Sequence, residues 1–208
     1  MGFADAGRRN LDVMALRHAI LAALLDGESS GYDLAKGFDS SVANFWSATP
    51  QQMYRELDAM DRAGLTTSTV VVQQGRPNKR LFTLTDAGRR ELSGFASRQP
   101  KGSAIRDDLL VQMQAVDFAD QHQVIETLRS RLAASESKLR FYLGARDRML
   151  DGRTERDYLA HAERIGPYLT LLRGIAFEQE NIGWCERAVD VLTARGRVAD
   201  RPRMQVET

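Results

Sequence analysis

Four side chains at the start of one segment carry chemistry suited to reading a nucleic acid. In TPQQMYRELDAMDRAGL, Thr49 to Leu65, the residues Gln51, Gln52, Tyr54 and Arg55 offer two amides, a phenol and a guanidinium. An amide that donates and accepts at once matches adenine, and a guanidinium that donates twice matches guanine. A phenol suits a phosphate oxygen. A second group follows in QQGRPNKR, where Arg76, Lys79 and Arg80 lie near Gly75 and Pro77, with Arg89 and Arg90 beyond. From Gly75 to Arg90 five cations meet one carboxylate, Asp86. The formal net charge of the chain is only +1, so a polyanionic partner would be attracted by this clustering and not by bulk charge.

These residues need a rigid frame, and the flanking sequence supplies one. Thr49 with Gln52 three places on forms a capping-box pattern, and Pro50 suits the first helical position because its missing N–H has no helical partner there. Met53, Leu57 and Met60 recur at helical spacing and face a core, and Gly64 marks the helix end. The β-branched run TTSTVVV and the alternating LFTLT flank the basic turn, so Leu65 to Thr85 reads as a hairpin with a cationic tip. Thr85 or Asp86 caps a further helix, DAGRRELSGFA. Upstream, Leu16, Ile20, Leu21, Leu24 and Leu25 form one helix face, and Ser30 caps a second helix through Leu34. Helices followed by a hairpin in this order are those of a winged helix-turn-helix, whose third helix enters the major groove.

The rest of the 208 residues is organised differently. Residues 1–11 read as a tail, 12–97 as the winged helix-turn-helix domain, 98–104 (around SRQPKGS) as a linker, 105–196 as a helical dimerisation domain and 197–208 as a second tail. The fold class is mainly α with a small β-hairpin. A long helix is expected from about Asp120 to Leu150, its apolar spacing interrupted by Ser135 and Arg146. A last helix starts near Thr154, with Ile165, Leu169, Leu172 and Ala176 on one stripe and Phe177, Trp184 and Val191 on its neighbour. Pro167 should kink or split it. Two amphipathic helices over some 90 residues carry more apolar surface than they can bury in each other, so a second copy is expected.

No nucleophile elbow, Gly-rich phosphate loop or paired-carboxylate spacing is present, which argues against an enzyme. Cys185, the single cysteine, lies in an apolar run and reads as a packed thiol. His18, His122 and His161 stand apart without a second ligand at metal spacing, so neither metal nor cofactor is expected, with a zinc site assembled from distant residues the open alternative. The absence of an apolar leader or a membrane-length apolar segment points to the cytoplasm.

LRHAILAALLDGESSGYDLAKGF, QQMYRELDAMDRAGL and GRPNKRLFTLTDAGRREL together resemble the PadR family of bacterial transcription regulators. LLRGIAFEQENIGWCERAVDVL resembles the C-terminal segment of its longer, virulence-activator-like branch, so the likeness runs from Val13 onward. Departures are Phe82, where the family mostly has Tyr, and Gln51–Gln52, which replace a more usual Ser or Gly with Thr or Gln. The second leaves the operator sequence open. The resemblance implies a homodimer held by the C-terminal helices, bound to double-stranded DNA at a palindromic promoter site and usually repressing. The DNA-binding residues are then Thr49, Gln51, Gln52, Tyr54, Arg55, Arg76, Lys79 and Arg80. The resemblance also implies a small aromatic or lipophilic effector between the two domains, and Trp46, Phe118, Tyr142 and Trp184 could line its pocket, although Trp46 reads first as a core anchor that positions the third helix. The competing reading is a winged-helix protein-interaction module without sequence-specific DNA binding.

Overall fold

The computed structural model describes residues 16–38, 48–73, 75, 78–100, 102 and 106–199. The chain divides into two compact units, Met1–Lys101 and Gly102–Thr208.

In the first unit, α1 (residues 16–23) ends in a 3-10 turn, Leu24–Asp26, and is followed by β1 (Ser29–Ser30), α2 (Gly31–Phe38), α3 (Pro50–Arg62), β2 (Thr66–Val71), β3 (Lys79–Leu84) and α4 (Asp86–Ala96). The strands form one antiparallel sheet in the order β1-β3-β2, with Thr66 opposite Leu84 and Val71 opposite Lys79. The hairpin is as expected, but β1 is an addition: Ser29 and Ser30 pair with Phe82 and Leu81. Two residues inside a turn-like GESSGY carry no periodicity from which a strand could be read.

Leu16, Ile20, Leu21, Leu24, Leu34, Met53, Leu57, Met60, Phe82 and Leu84 make one core. A fully buried side chain of this size contributes about 1.5–3 kcal/mol, so the three from α3 fix which of its faces turns inward. Glu56 is buried beside them, and Arg17 of α1 donates to it at 2.7 Å. That bond removes the penalty of an unpaired buried carboxylate.

The end of α3 is closed by two backbone bonds, from Gly64 N–H to Asp61 O at 3.0 Å and from Leu65 N–H to Met60 O at 2.9 Å. Gly64 takes φ +70°, which a side chain would disfavour, and the chain turns directly into β2. Thr85, the cap of α4, accepts from Gly88 N–H and donates to the carbonyls of Gly64 and Leu65. Gly88 sits so close to this turn that a Cβ there would lie 2.2 Å from the Leu65 carbonyl oxygen and 2.8 Å from Leu84 Cδ1.

The second unit is helical: α5 (Asp108–Gln114), a 3-10 turn at Val116–Phe118, α6 (Gln121–Leu150), α7 (Glu155–His161) and α8 (Gly166–Ala199). Asp120 caps α6 by accepting from the N–H groups of His122 and Gln123. The expected interruption by proline is a full break before α8, with Pro167 in its first turn, and the ring of Tyr158 on α7 packs 4.9 Å from that of Tyr168.

The seam between α6 and α8 follows a seven-residue repeat. Leu128, Ser135 and Tyr142 are buried on α6, and Leu171, Glu178, Cys185 and Leu192 on α8. Of the two apolar stripes read from the sequence, Ile165, just before α8, and Leu169, Phe177, Trp184 and Val191 on it are exposed in the single chain. Ser135, read as an interruption, belongs to the buried seam. A helix whose apolar residues fall on more than one stripe does not reveal from its own pattern which stripe meets the neighbour. Glu178 lies between an apolar cluster of Leu128, Cys185 and Leu192 and another of Tyr142, Leu171 and Ile175. It accepts from Asn181 at 3.4 Å and pairs with Lys138 at 3.8 Å.

The crowding at Gly88 is testable. Gly88→Ala should destabilise the first unit by about 1–3 kcal/mol, seen as a lower melting temperature by circular dichroism. Gly94→Ala on the same helix has nothing within 4 Å and should be neutral or stabilising.

Candidate nucleic-acid interface

The first turn of α3 is held by a complete capping box. Thr49 Oγ1 accepts from Gln52 N–H at 3.2 Å, and the Gln52 side-chain oxygen accepts from Thr49 N–H at 2.9 Å. It also accepts from Thr49 Oγ1 at 3.1 Å. Pro50 occupies the first helical position. The amide oxygen of Gln52 is thus already engaged, so Gln52 aims the helix and lacks the free donor–acceptor pair that adenine recognition needs. Gln51 and Arg55 are exposed, lie four apart on one face, and make no hydrogen bond or ion pair among the described residues.

Tyr54 is 46% exposed, with its ring against the start of α2. A Cβ on Gly31 would stand 2.3 Å from Tyr54 Cε1. The bare backbone there admits the ring, which also lines the groove between α2, α3 and the hairpin.

The two described cations of the hairpin, Lys79 and Arg80, are each paired with carboxylates, which a count of charge along the hairpin does not show. Arg80 donates to Asp58 at 2.5 Å and to Asp61 at 2.7 Å, and its guanidinium lies 4.7 Å from the Phe82 ring centre. Partial burial works against the Arg80 charge, but the bonds to Asp58 and Asp61 outweigh it and raise its pKa. Asp61 also accepts from Ser68 Oγ at 3.0 Å. Lys79 Nζ lies 2.7 Å from Asp33 Oδ2, and Asp33 accepts from Ser30 Oγ at 2.8 Å. The hydrogen bonds from Lys79 first and Ser30 second hold the Asp33 carboxyl below its usual range.

One signal for Arg80 was present in the sequence. Strand side chains alternate, so Arg80 shares the face of Phe82 and Leu84, and that face turns to the core and α3. Nothing local announces Asp33, 46 residues before Lys79. Arg89 and Arg90 are exposed on α4. Arg76 lies outside the described residues.

Among Tyr32, Asp33, Tyr54, Asp58, Lys79 and Arg80 runs a groove of about 810 Å³, between the start of α2, the exposed side of α3 and the hairpin. Two cations meet three carboxylates along it, counting Asp61 behind Arg80.

The proposed effector residues do not gather in the second unit. Tyr142 is buried with Leu171 and Ile175, whereas Phe118 is 97% exposed just before α6 starts. They are 24 residues apart, mostly along one helix, or on the order of 30 Å at 1.5 Å per residue. Trp184 is partly exposed on the outer face of α8. Trp46 lies outside the described residues. Aromatic content alone does not say at which level of a long helix pair a ring sits. His18 is buried, 3.0 Å from Glu91 Oε1 and stacked on Phe95 at 3.9 Å, and His161 pairs with Asp157 on its own helix. Among the described residues no group of three His, Cys, Asp or Glu side chains could hold a metal ion, and no helix is long and apolar enough to cross a membrane.

Comparison with known proteins accounts for both units. The Transcriptional regulator PadR-like family matches residues 20–94, and the Virulence activator alpha C-term family matches residues 105–193. The probable transcriptional regulator Rv1176c of Mycobacterium tuberculosis is 33% identical over 189 residues, covering 86% of this chain and 98% of that protein. The negative transcriptional regulator PadR of Bacillus subtilis is 27% identical over 172 residues, covering 82% and 93%. The crystal structure of Bacillus subtilis PadR in complex with operator DNA superposes with a TM-score of 0.70 at 26% identity, over 86% of this chain and 97% of that one. The chain belongs to the PadR-like family and is a transcriptional regulator.

Proposed function

We propose that this regulator binds a palindromic promoter site as a homodimer, reads it with Gln51 and Arg55 of α3, and represses the gene behind it. The observation that carries this reading is the first turn of α3. Its direction is fixed by the capping box, and its two bidentate side chains are exposed and uncommitted. Tyr54 supplies a phosphate contact at the same end, and the positively polarised helix start favours an anion. The relative solved with operator DNA supports the same use of the fold. Thr49 and Gln52 act as positioning residues. Lys79 and Arg80 reach a phosphate only in competition with their carboxylates, and Arg76 remains a candidate at the hairpin tip.

The dimer follows from the outer face of α8. Phe177, Trp184 and Val191 recur every seventh residue and are exposed in the single chain, which is the pattern of a helical seam awaiting a second strand of the same kind. A twofold dimer presents two α3 helices about 34 Å apart, one turn of DNA, and so calls for an inverted repeat.

Gln51→Ala with Arg55→Ala should lower affinity for the promoter site by about 30-fold or more, as two bidentate base contacts at about 1–3 kcal/mol each imply, with an unchanged melting curve. Unaltered binding in a band-shift at moderate salt would reject these readers. The affinity of the unaltered chain should also fall steeply and log-linearly with salt. A shallow dependence would favour the protein-interaction module instead. Phe177→Glu with Trp184→Glu should convert a dimer to a monomer in sedimentation at micromolar concentration and weaken promoter binding with it.

A further inference from the structure

We propose that Asp33 restrains Lys79 and thereby limits sequence-independent binding to DNA, so that affinity rests on the base contacts of α3. The inference builds on the DNA-binding reading above and adds a residue that tunes the sequence-independent part of the affinity while contacting no base. The Lys79–Asp33 pair lies at the mouth of the groove between α2, α3 and the hairpin, 2.7 Å apart, with Lys79 37% and Asp33 47% exposed. A phosphate can therefore approach Lys79, but it must displace a carboxylate that Ser30 holds in place from behind. The other described hairpin cation is occupied in the same way, since Arg80 is divided between Asp58 and Asp61. The two cations are thus neutralised from within by three carboxylates, which suppresses the counterion-release term common to all duplex DNA and leaves the readout by Gln51 and Arg55 untouched. A surface pair of this kind is weak, so the restraint is a handicap on every sequence and not a block.

The test uses the full-length chain, its own promoter fragment and a scrambled duplex of equal length. Asp33→Asn keeps an oxygen to accept from Ser30 and removes the charge. Freeing one lysine in each protomer should raise affinity for the scrambled duplex by about threefold or more and steepen the salt slope by about 0.9 for each Lys79 released. Promoter affinity should rise no more than scrambled affinity, so discrimination should not improve. Asp33→Asn with Lys79→Gln should bind the scrambled duplex no better than Lys79→Gln alone, so that the gain seen in Asp33→Asn is erased. Unchanged scrambled affinity in Asp33→Asn, from a parent chain that binds its promoter, overturns the restraint but leaves the DNA-binding reading standing. A gain that persists with Lys79→Gln overturns the route through Lys79. A parent chain that binds neither duplex overturns both readings together.

Discussion

A helix that holds one face in a core while offering the other to a ligand can still rotate or tilt unless its ends are fixed. For α3 that constraint governs everything else. At its start the Thr49–Gln52 bonds satisfy two N–H groups that would otherwise be orphaned. At its end the bonds to Met60 and Asp61 turn the chain into β2 within two residues. Met53, Leu57 and Met60 then set the rotation, and Arg80 ties the outer side to the hairpin through Asp58 and Asp61. The readers Gln51 and Arg55 inherit their direction from contacts that they do not make.

The hairpin therefore has a structural duty as well as an electrostatic one. Its inner face carries Phe82 and Leu84 into the core, and above them Arg80 is stacked on Phe82 and bonded to α3. A cation used in this way braces a helix at the cost of its reach toward an outside anion. The short β1 strand extends the brace, because Ser30 both pairs with Leu81 of β3 and bonds to Asp33 at the start of α2. The sheet joins three helical segments that their sequence positions hold far apart.

Much of this was legible in advance, and the reasons for success and failure are physical. The capping box, the hairpin and the inward face of α3 rest on local chemistry and regular periods, which a sequence displays directly. The acidic partners of Lys79 and Arg80 rest on tertiary approach over 46, 22 and 19 residues, and charge counted along a hairpin cannot show them. The same holds for α8, where several apolar stripes compete and only the packing on α6 reveals that Leu171, Ile175, Cys185 and Leu192 are the inner set. For the effector pocket, four aromatic positions were too few to specify a place, and the three that can be located lie at different levels of the second unit or on its outer face.

The buried polar pair in the helical unit has a kinetic and mechanical meaning. Ser135 and Glu178 occupy the middle of a seven-residue repeat whose other members are Leu128 and Tyr142 on one helix, and Leu171, Cys185 and Leu192 on the other. Sliding α8 along α6 by one helical turn, about 5.4 Å, would drive the Glu178 carboxylate toward an apolar cluster and away from Lys138 of α6. The desolvation penalty for such a charge is several kcal/mol, far more than thermal energy supplies. The two helices are thus locked against ratcheting, and any conformational signal that travels along them must take the form of tilt, twist or separation.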